Sequence, residues 1–225
     1  MRIAVISDLH LGRGDRVDLF GHSHGVFVRF LRFLERNFER IVLLGDVFEV
    51  LAARPKQRKE ELEIIRGVHN PVLKRFARPE YTMVYGNHDA ILARAGIPDE
   101  LVLEEDGVRL LFRHGHTFDW SARNTTKEFF VWLGFLLARW GLRFFYRVGE
   151  LLDSWFRELG AFRRWALEMA HRREADVIVT AHTHRGGHAE EDGRVFLNSG
   201  ACSKGRFSWL ALDTKAGTYR HLESW

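Results

Sequence analysis

The sequence predicts an α/β fold, a mixed sandwich built on buried strands. Three observations carry that reading. Short, almost wholly apolar runs recur along the chain, as expected of strands covered on both faces. Early in the chain they alternate with helical periodicity, and late in the chain they follow one another directly. Five of them run straight into acidic, amide or imidazole side chains. With 225 residues, 46% hydrophobic and 28% charged, the chain suits one domain carrying an insertion and is too apolar for disorder.

Ile3-Ala4-Val5-Ile6 is the first strand, and a polar, glycine-rich loop follows to Gly25. Val26, Phe27, Phe30, Leu31, Leu34 and Phe38 have the spacing of one helix face over 26–38. Ile41 to Leu44 is the second strand. A charged helix over 58–69 carries Leu62, Ile65 and Val68 on one face, and Pro71 interrupts or ends it. Tyr81 to Tyr85 is the third strand. Asp106-Gly107, a favoured turn pair, predicts a hairpin of 101–103 with 108–112. From about 118 to 173 the pattern is helical, with Thr125 and Glu128 as a capping pair and Gly141 and Gly160 as breaks. Strands return at 177–180, 194–197, 209–212 and 218–222.

Charge and cysteine content exclude several classes. Lysine and arginine total 34 against 30 acids, a net of +4. That allows an anionic substrate without requiring nucleic acid. The single cysteine, Cys202, excludes an intrachain disulfide and a cysteine-based zinc site, and no thiolate-activating motif surrounds it. The longest apolar run, Val131 to Ala138, is far short of the ~20 residues that span a bilayer. The opening residues reach Asp8 too soon for a secretory signal, so a cytoplasmic location is expected.

The chemistry sits at the strand ends. The first strand leads into Asp8-Leu9-His10, the second into Asp46, and the third into Asn87-His88-Asp89. The strand ending near Arg113 leads into His114-Gly115-His116, and the one ending at Thr180 into His182-Thr183-His184. Sites in open α/β sheets form at the carboxyl ends of strands, so these side chains are expected to converge. Asp8, His10, Asp46, Asn87, His114, His182 and His184 are too many ligands for one tetrahedral zinc. They suit two divalent cations sharing one carboxylate, with Mn²⁺, Fe or Zn²⁺ favoured over Ca²⁺ or Cu(I). Such a pair would clamp a phosphate and activate a water. His88 then reads as a catalytic imidazole that binds no metal, with Asp89 beside it holding its tautomer and raising its pKa.

In this order the five motifs resemble those of the calcineurin-like metallophosphoesterases: Asp8-X-His10, Gly45-Asp46 with Glu49, Gly86-Asn87-His88-Asp89, His114-Gly115-His116 and His182-X-His184. The resemblance covers residues 8 to 184. It implies a four-layer α-β-β-α sandwich with two mixed β-sheets over residues 1–225, with 118–173 inserted as a helical lid. It also implies Asp8, His10, Asp46 and His184 on one metal and Asp46, Asn87, His114 and His182 on the other, with Asp46 as the bridge. His116 is left as a substrate contact. Ala181 departs from the glycine usual before the last motif.

Ser7-Asp8-Leu9-His10-Leu11 and Gly45-Asp46-Val47-Phe48-Glu49 further resemble the UDP-2,3-diacylglucosamine hydrolases of lipid A synthesis, whose helical lid holds acyl chains. That branch usually carries arginine at the position of His88 and aspartate at that of His116, where this chain keeps histidine. The resemblance implies hydrolysis of a phosphoester or pyrophosphate bond in a small phosphorylated substrate, such as a lipid-linked one. A nucleotide or nucleic-acid phosphodiesterase and a non-catalytic interaction module are the alternatives.

Between Phe118 and Trp165, 14 of 48 residues are aromatic, against 13% in the whole chain. Phe129, Trp132, Leu133, Leu136, Leu137 and Trp140 form one stripe, and Phe130, Phe135, Phe144 and Phe145 lie on the other side. A helix apolar all round must be covered. The sandwich body, a second copy in a homodimer, a lipid tail or the inner membrane surface would each serve, and Arg139, Arg143 and Arg147 suit anionic headgroups. Outside the motifs, His22, His24, His69, His171, His188 and His221 read as surface residues, as do Arg13, Arg16 and Lys204 beside the cleft.

Overall fold

The two faces of β1 (Arg2–Ile6) and β2 (Arg40–Leu44) have different neighbours, and that difference sets the layers. This computed structural model describes residues 1–118, 125–140 and 159–225. On one face, Ala4, Ile6, Ile41 and Leu43 pack with Phe27, Phe30, Leu31 and Leu34 of α1 (His24–Asn37). Leu62 and Ile65 of α2 (Arg58–Val68) and Val72 of α3 (Asn70–Phe76) complete that layer. On the other face, Ile3, Val5, Val42 and Leu44 meet Leu110 and Phe112 of β5 (Val108–Arg113) and Val177 and Val179 of β6 (Val177–Thr180). Side chains alternate along a strand, so a wholly apolar run can serve two cores at once.

Each sheet has five strands, and each is mixed. The first has the order β10 (Thr218–Leu222), β9 (Trp209–Asp213), β1, β2, β3 (Tyr81–Val84). β1, β2 and β3 are parallel, β9 pairs antiparallel with β1, and β10 pairs antiparallel with β9. The second runs β4 (Glu100–Glu105), β5, β6, β8 (Arg194–Ser199), β7 (Gly186–Glu191), with β5, β6 and β8 parallel. β4 and β5 pair around Asp106-Gly107, as the turn pair predicts. β7 escapes sequence reading. Gly-Gly-His-Ala-Glu-Glu has no apolar alternation because it forms an edge strand with largely exposed side chains.

Local chemistry sets the helix limits. α1 begins at His24 because the Ser23 hydroxyl caps it, accepting from the Val26 N–H at 3.3 Å. Pro71 lies in the first turn of α3, where its missing N–H costs nothing. In α4 (Thr125–Arg139) the Glu128 carboxylate accepts from Arg58 at 2.8 Å.

Among the described residues, two helices come from the aromatic stretch, and they do different things. Phe162, Ala166 and Ala170 of α5 (Leu159–Arg172) pack on Leu111, Ile178 and Phe196. α5 is therefore the fourth layer, on the outer face of the second sheet. α4 lies over the loops that follow β1 and β2. Its Phe135 and Ala138 cluster with Val17 and Ala52, and Arg139 bonds Asp15 at 2.8 Å. Phe129, Phe130 and Trp140 stay exposed. Gly141, Arg143, Phe144, Phe145 and Arg147 lie outside the described residues. No described helix is long and apolar enough to cross a membrane.

Phe112 is fully buried between the sheets. Phe112→Ala is expected to cost about 3–5 kcal/mol, read as a lower urea midpoint with an unchanged slope. Ile64→Ala, at an exposed position, is expected to stay within about 0.5 kcal/mol of the wild type.

Candidate metal centre

The parallel strands of both sheets end on one edge of the sandwich, and the loops beyond them stay paired. Asp8 N–H donates to Gly45 O at 3.1 Å, His10 N–H to Asp46 O at 3.0 Å, and Leu11 N–H to Val47 O at 2.9 Å. In the second sheet Ala181 N–H donates to His114 O at 3.1 Å. The backbone turns sharply within these paired loops. Asp8, His10, Asp46, His182 and His184 all have φ between 47° and 69°. This left-handed region is unfavourable for residues bearing Cβ, and its occupation here is one of the marks of a functional site.

Two glycines make room. Gly45 has φ +80°, and a Cβ there would stand 2.5 Å from the His114 ring. A Cβ on Gly86 would meet Asp46 N at 2.7 Å and His114 Cδ2 at 2.8 Å. The close approach of three loops therefore explains why both motifs carry glycine.

The structure brings Asp8, His10, Asp46, His114, His182 and His184 together at this edge, and their donor atoms fall into groups. Asp8, His10 and His184 offer ligand atoms within 4.8 Å of one another, as do Asp46, His114 and His182, and a third set, His10, Asp46 and His88, bridges them. His10 Nδ1 faces Glu49 Oε2 at 2.8 Å, so its Nε2 lone pair points at His184 Nε2, 3.3 Å away. Asp8 Oδ1 lies 3.1 Å from His184 Nε2. In the other group His114 Nδ1–H donates to Leu44 O at 2.8 Å, which turns Nε2 toward Asp46 Oδ2 at 3.1 Å. Asp8 Oδ1, Asn87 Oδ1 and His114 Nε2 are buried without a hydrogen-bond partner. Lone pairs so crowded repel unless a cation or proton lies among them. Histidines held through the other ring nitrogen are the usual form of metal ligands. The donor set therefore fits divalent cations.

Charge compensation is severe. Burial opposes the charge on Asp8, but His184 and His114 pull its carboxyl well below the ordinary value. Burial likewise opposes Asp46, which His114 and His88 lower. His114 is penalised by burial, yet Asp46 and Asp8 raise it to about 9. Cations would replace the protons that these imidazoles otherwise hold.

His88 is held by a different residue from the one expected. Its Nδ1 lies 2.8 and 2.9 Å from the two oxygens of Glu49. Burial would lower His88, but Glu49 and Asp46 raise it to about 10. Asp89 does not hydrogen-bond His88, although its charge adds a smaller upward push on that imidazole, as expected. Its carboxylate accepts from Gly86 N–H at 2.7 Å, Val47 N–H at 2.8 Å and Phe48 N–H at 3.3 Å. It braces the second and third ligand loops. Adjacent residues on a turn point apart, so neighbourhood in sequence misassigned the partner. Glu49 is 39 positions from both His10 and His88, and only its place in the second motif marked it.

His116 is buried beside His114, with ring centroids 5.7 Å apart. Burial and His114 lower it to about 3, so it is neutral, and its Nδ1 has no hydrogen-bond partner. Ala181 is absent from the positive-φ residues, so its methyl group needs no strained backbone. His69 is a correction. It is 3% exposed, faces His24 Nε2 at 3.0 Å and donates to Gly12 O at 2.8 Å. His22 is half-buried against Phe20, Phe27 and Phe207. Arg13 pairs with buried Glu61 and is not a free cation beside the cleft. Cys202 is buried, and burial pushes its thiol up to about 12, which keeps it unreactive.

Residues 1–131 match the calcineurin-like phosphoesterase superfamily domain. The chain is 29% identical over 123 residues to UDP-2,3-diacylglucosamine hydrolase of Ralstonia nicotianae, covering 49% of this chain and 41% of that enzyme. The match thus spans less than half the relative's length. An archaeal phosphodiesterase shares the fold with a TM-score of 0.53 at 18% identity, over 99% of each chain. Vps29 of Entamoeba histolytica, solved with Zn²⁺, shares it with a TM-score of 0.52 at 17% identity, over 99% of this chain and 98% of that one.

Two outcomes follow from this geometry. Gly86→Ala is expected to fold but to lose tight Mn²⁺ binding, checked by circular dichroism and calorimetric titration. Wild-type Mn²⁺ uptake at pH 7 is expected to release protons. The observed binding enthalpy should then depend on the ionisation enthalpy of the buffer, and affinity should fall as pH is lowered.

Proposed function

This chain belongs to the calcineurin-like phosphoesterase superfamily, and on that premise we propose that it hydrolyses a phosphoester or pyrophosphate bond with two divalent cations. The observation that carries this reading is the set of buried, partnerless donor atoms at the meeting strand ends. Asp8, His10, Asp46 and His184 would hold one cation, and Asp46, Asn87, His114 and His182 the other, with Asp46 shared. Mn²⁺ is the first candidate, and Fe or Zn²⁺ would suit the same donors. Bound there, the cations would neutralise phosphate charge and lower the pKa of a water.

The chain's own residues supply the rest. His88 is anchored through Nδ1 to Glu49, and its backbone N–H donates to Asp46 Oδ1 at 2.8 Å. Its side chain is 20% exposed, which leaves Nε2 to meet substrate. Held as the imidazolium, His88 donates a proton or hydrogen bond from Nε2 to a phosphate or leaving-group oxygen. Asp89 keeps the loop under His88 in place. Neutral His116 serves as a polar contact for substrate.

For substrate class, we favour an amphipathic, lipid-linked phosphate or pyrophosphate such as UDP-2,3-diacylglucosamine. The partial identity to a hydrolase of that substrate supports this. So does α4, an apolar helix packed on the loops that carry Asp8, His10 and Asp46.

With Mn²⁺, the wild type is expected to release UMP from UDP-2,3-diacylglucosamine. His88→Ala is expected to fold and lose about 10²–10⁴-fold in kcat, and Asp8→Asn to fold and lose turnover. Wild-type rates in both variants would overturn the reading. Cleavage of an aryl phosphodiester but not of the lipid would keep the site and reject the substrate class.

A further inference from the structure

Beneath Asp8 lies a chain of hydroxyl groups shut off from solvent. Ser7, Asp8 and Ser199 are each 0% exposed. Ser7 Oγ lies 2.7 Å from Asp8 Oδ2, 2.7 Å from Ser199 Oγ and 2.9 Å from Gly200 O. Each hydroxyl has one proton. A carboxylate is the strongest acceptor within reach, so Ser7 O–H points at Asp8 Oδ2. Ser199 O–H then points at Ser7 Oγ. Among the described residues, the His182 N–H also approaches Oδ2, at 3.4 Å. Oδ1 is left without a hydrogen bond and aimed at His184.

Asn198 holds this relay in register. Its Nδ2 donates to Ala181 O at 2.8 Å and to Thr180 Oγ1 at 3.1 Å, and its Oδ1 accepts from Gly200 N–H at 3.0 Å. The end of β8 is thus pinned to the end of β6. The Cys202 N–H donates to Ser7 O at 3.0 Å, which ties the following loop to the end of β1.

We propose that Ser7 is a positioning residue, which acts through Asp8 to set the cation position formed by Asp8, His10 and His184, with Ser199 acting through Ser7. The proposal rests on the two-cation reading above. It separates the two positions, because the carboxylate of the other group, Asp46, is held by the His88 N–H and not by a hydroxyl. Outer partners of this kind are typically worth about 10–100-fold in metal affinity.

The test is Mn²⁺ titration of the metal-free full chain, followed by calorimetry and electron paramagnetic resonance. The wild type, Ser7→Ala, Ser199→Ala and the double variant would be compared, with circular dichroism as the check on folding. The expected result is two Mn²⁺ in the wild type. Ser7→Ala should leave one unchanged and weaken the other about 10–100-fold. Ser199→Ala should weaken the same one by less, and the double variant should match Ser7→Ala, because Ser199 acts through Ser7. Unchanged affinity at both positions, or equal loss at both, would overturn the proposal. If Ser7→Ala does not fold, selective weakening in Ser199→Ala supports the relay and its absence rejects it. Fewer than two Mn²⁺ in the wild type would instead reject the two-cation reading itself, and the proposal with it.

Discussion

Asp46 is a carboxylate with almost no access to water, set where the two sheets meet. Its Oδ1 accepts from the backbone of the third ligand loop, at His88, and its Oδ2 faces an imidazole delivered by the second sheet, at His114. Its own φ is +52°. An isolated buried carboxylate would be too costly, so the surrounding loops are arranged to compensate it. The glycines at 45 and 86, the course of β2 and the approach of β5 all answer to that one group.

The same economy of space explains the strained backbone. Five of the expected ligands adopt left-handed conformations, each costing of order 1–3 kcal/mol. The loops bear this because they are paired to one another, as His10 to Asp46 and Ala181 to His114. The compensating contacts come from the parallel strands beneath, whose side chains feed two separate cores. Packing on both faces of the first sheet thus holds donor atoms at the edge in positions they would not adopt alone.

Glu49 extends the cluster outward. One buried carboxylate grips His10, an expected ligand, and His88, which is not one. Burial resists its ionisation, but His88 and His10 hold its carboxyl down to about 2. The imidazole that faces the opening is thereby fixed to the same anchor as the donor group behind it. α4 adds a further tie, since Arg139 and Phe135 fasten it to the loop that leaves His10.

The class of fold and most of the strands were legible in the sequence, as was the order in which acids and imidazoles follow the strand ends, because each leaves a local mark. Ile3 to Ile6 reads as buried on both faces from its composition alone, and the residues just past a strand are known once the strand is. β7 left no mark, since an edge strand of glycine and charge has no apolar period. The fate of 118–173 was unreadable for a related reason. An apolar helix face states that something covers it and not what, so α5 proved to be a layer of the body while α4 lies over the ligand loops. The partners of the ligands were also hidden. Glu49 rather than Asp89 on His88, Ser199 behind Ser7, and His69 buried against His24 are contacts between residues 39, 192 and 45 positions apart. Sequence alone determined which groups reach the site edge, because strand length and direction deliver them there. Tertiary structure alone decided how each group is oriented and charged, because that depends on atoms brought together only when the two sheets close.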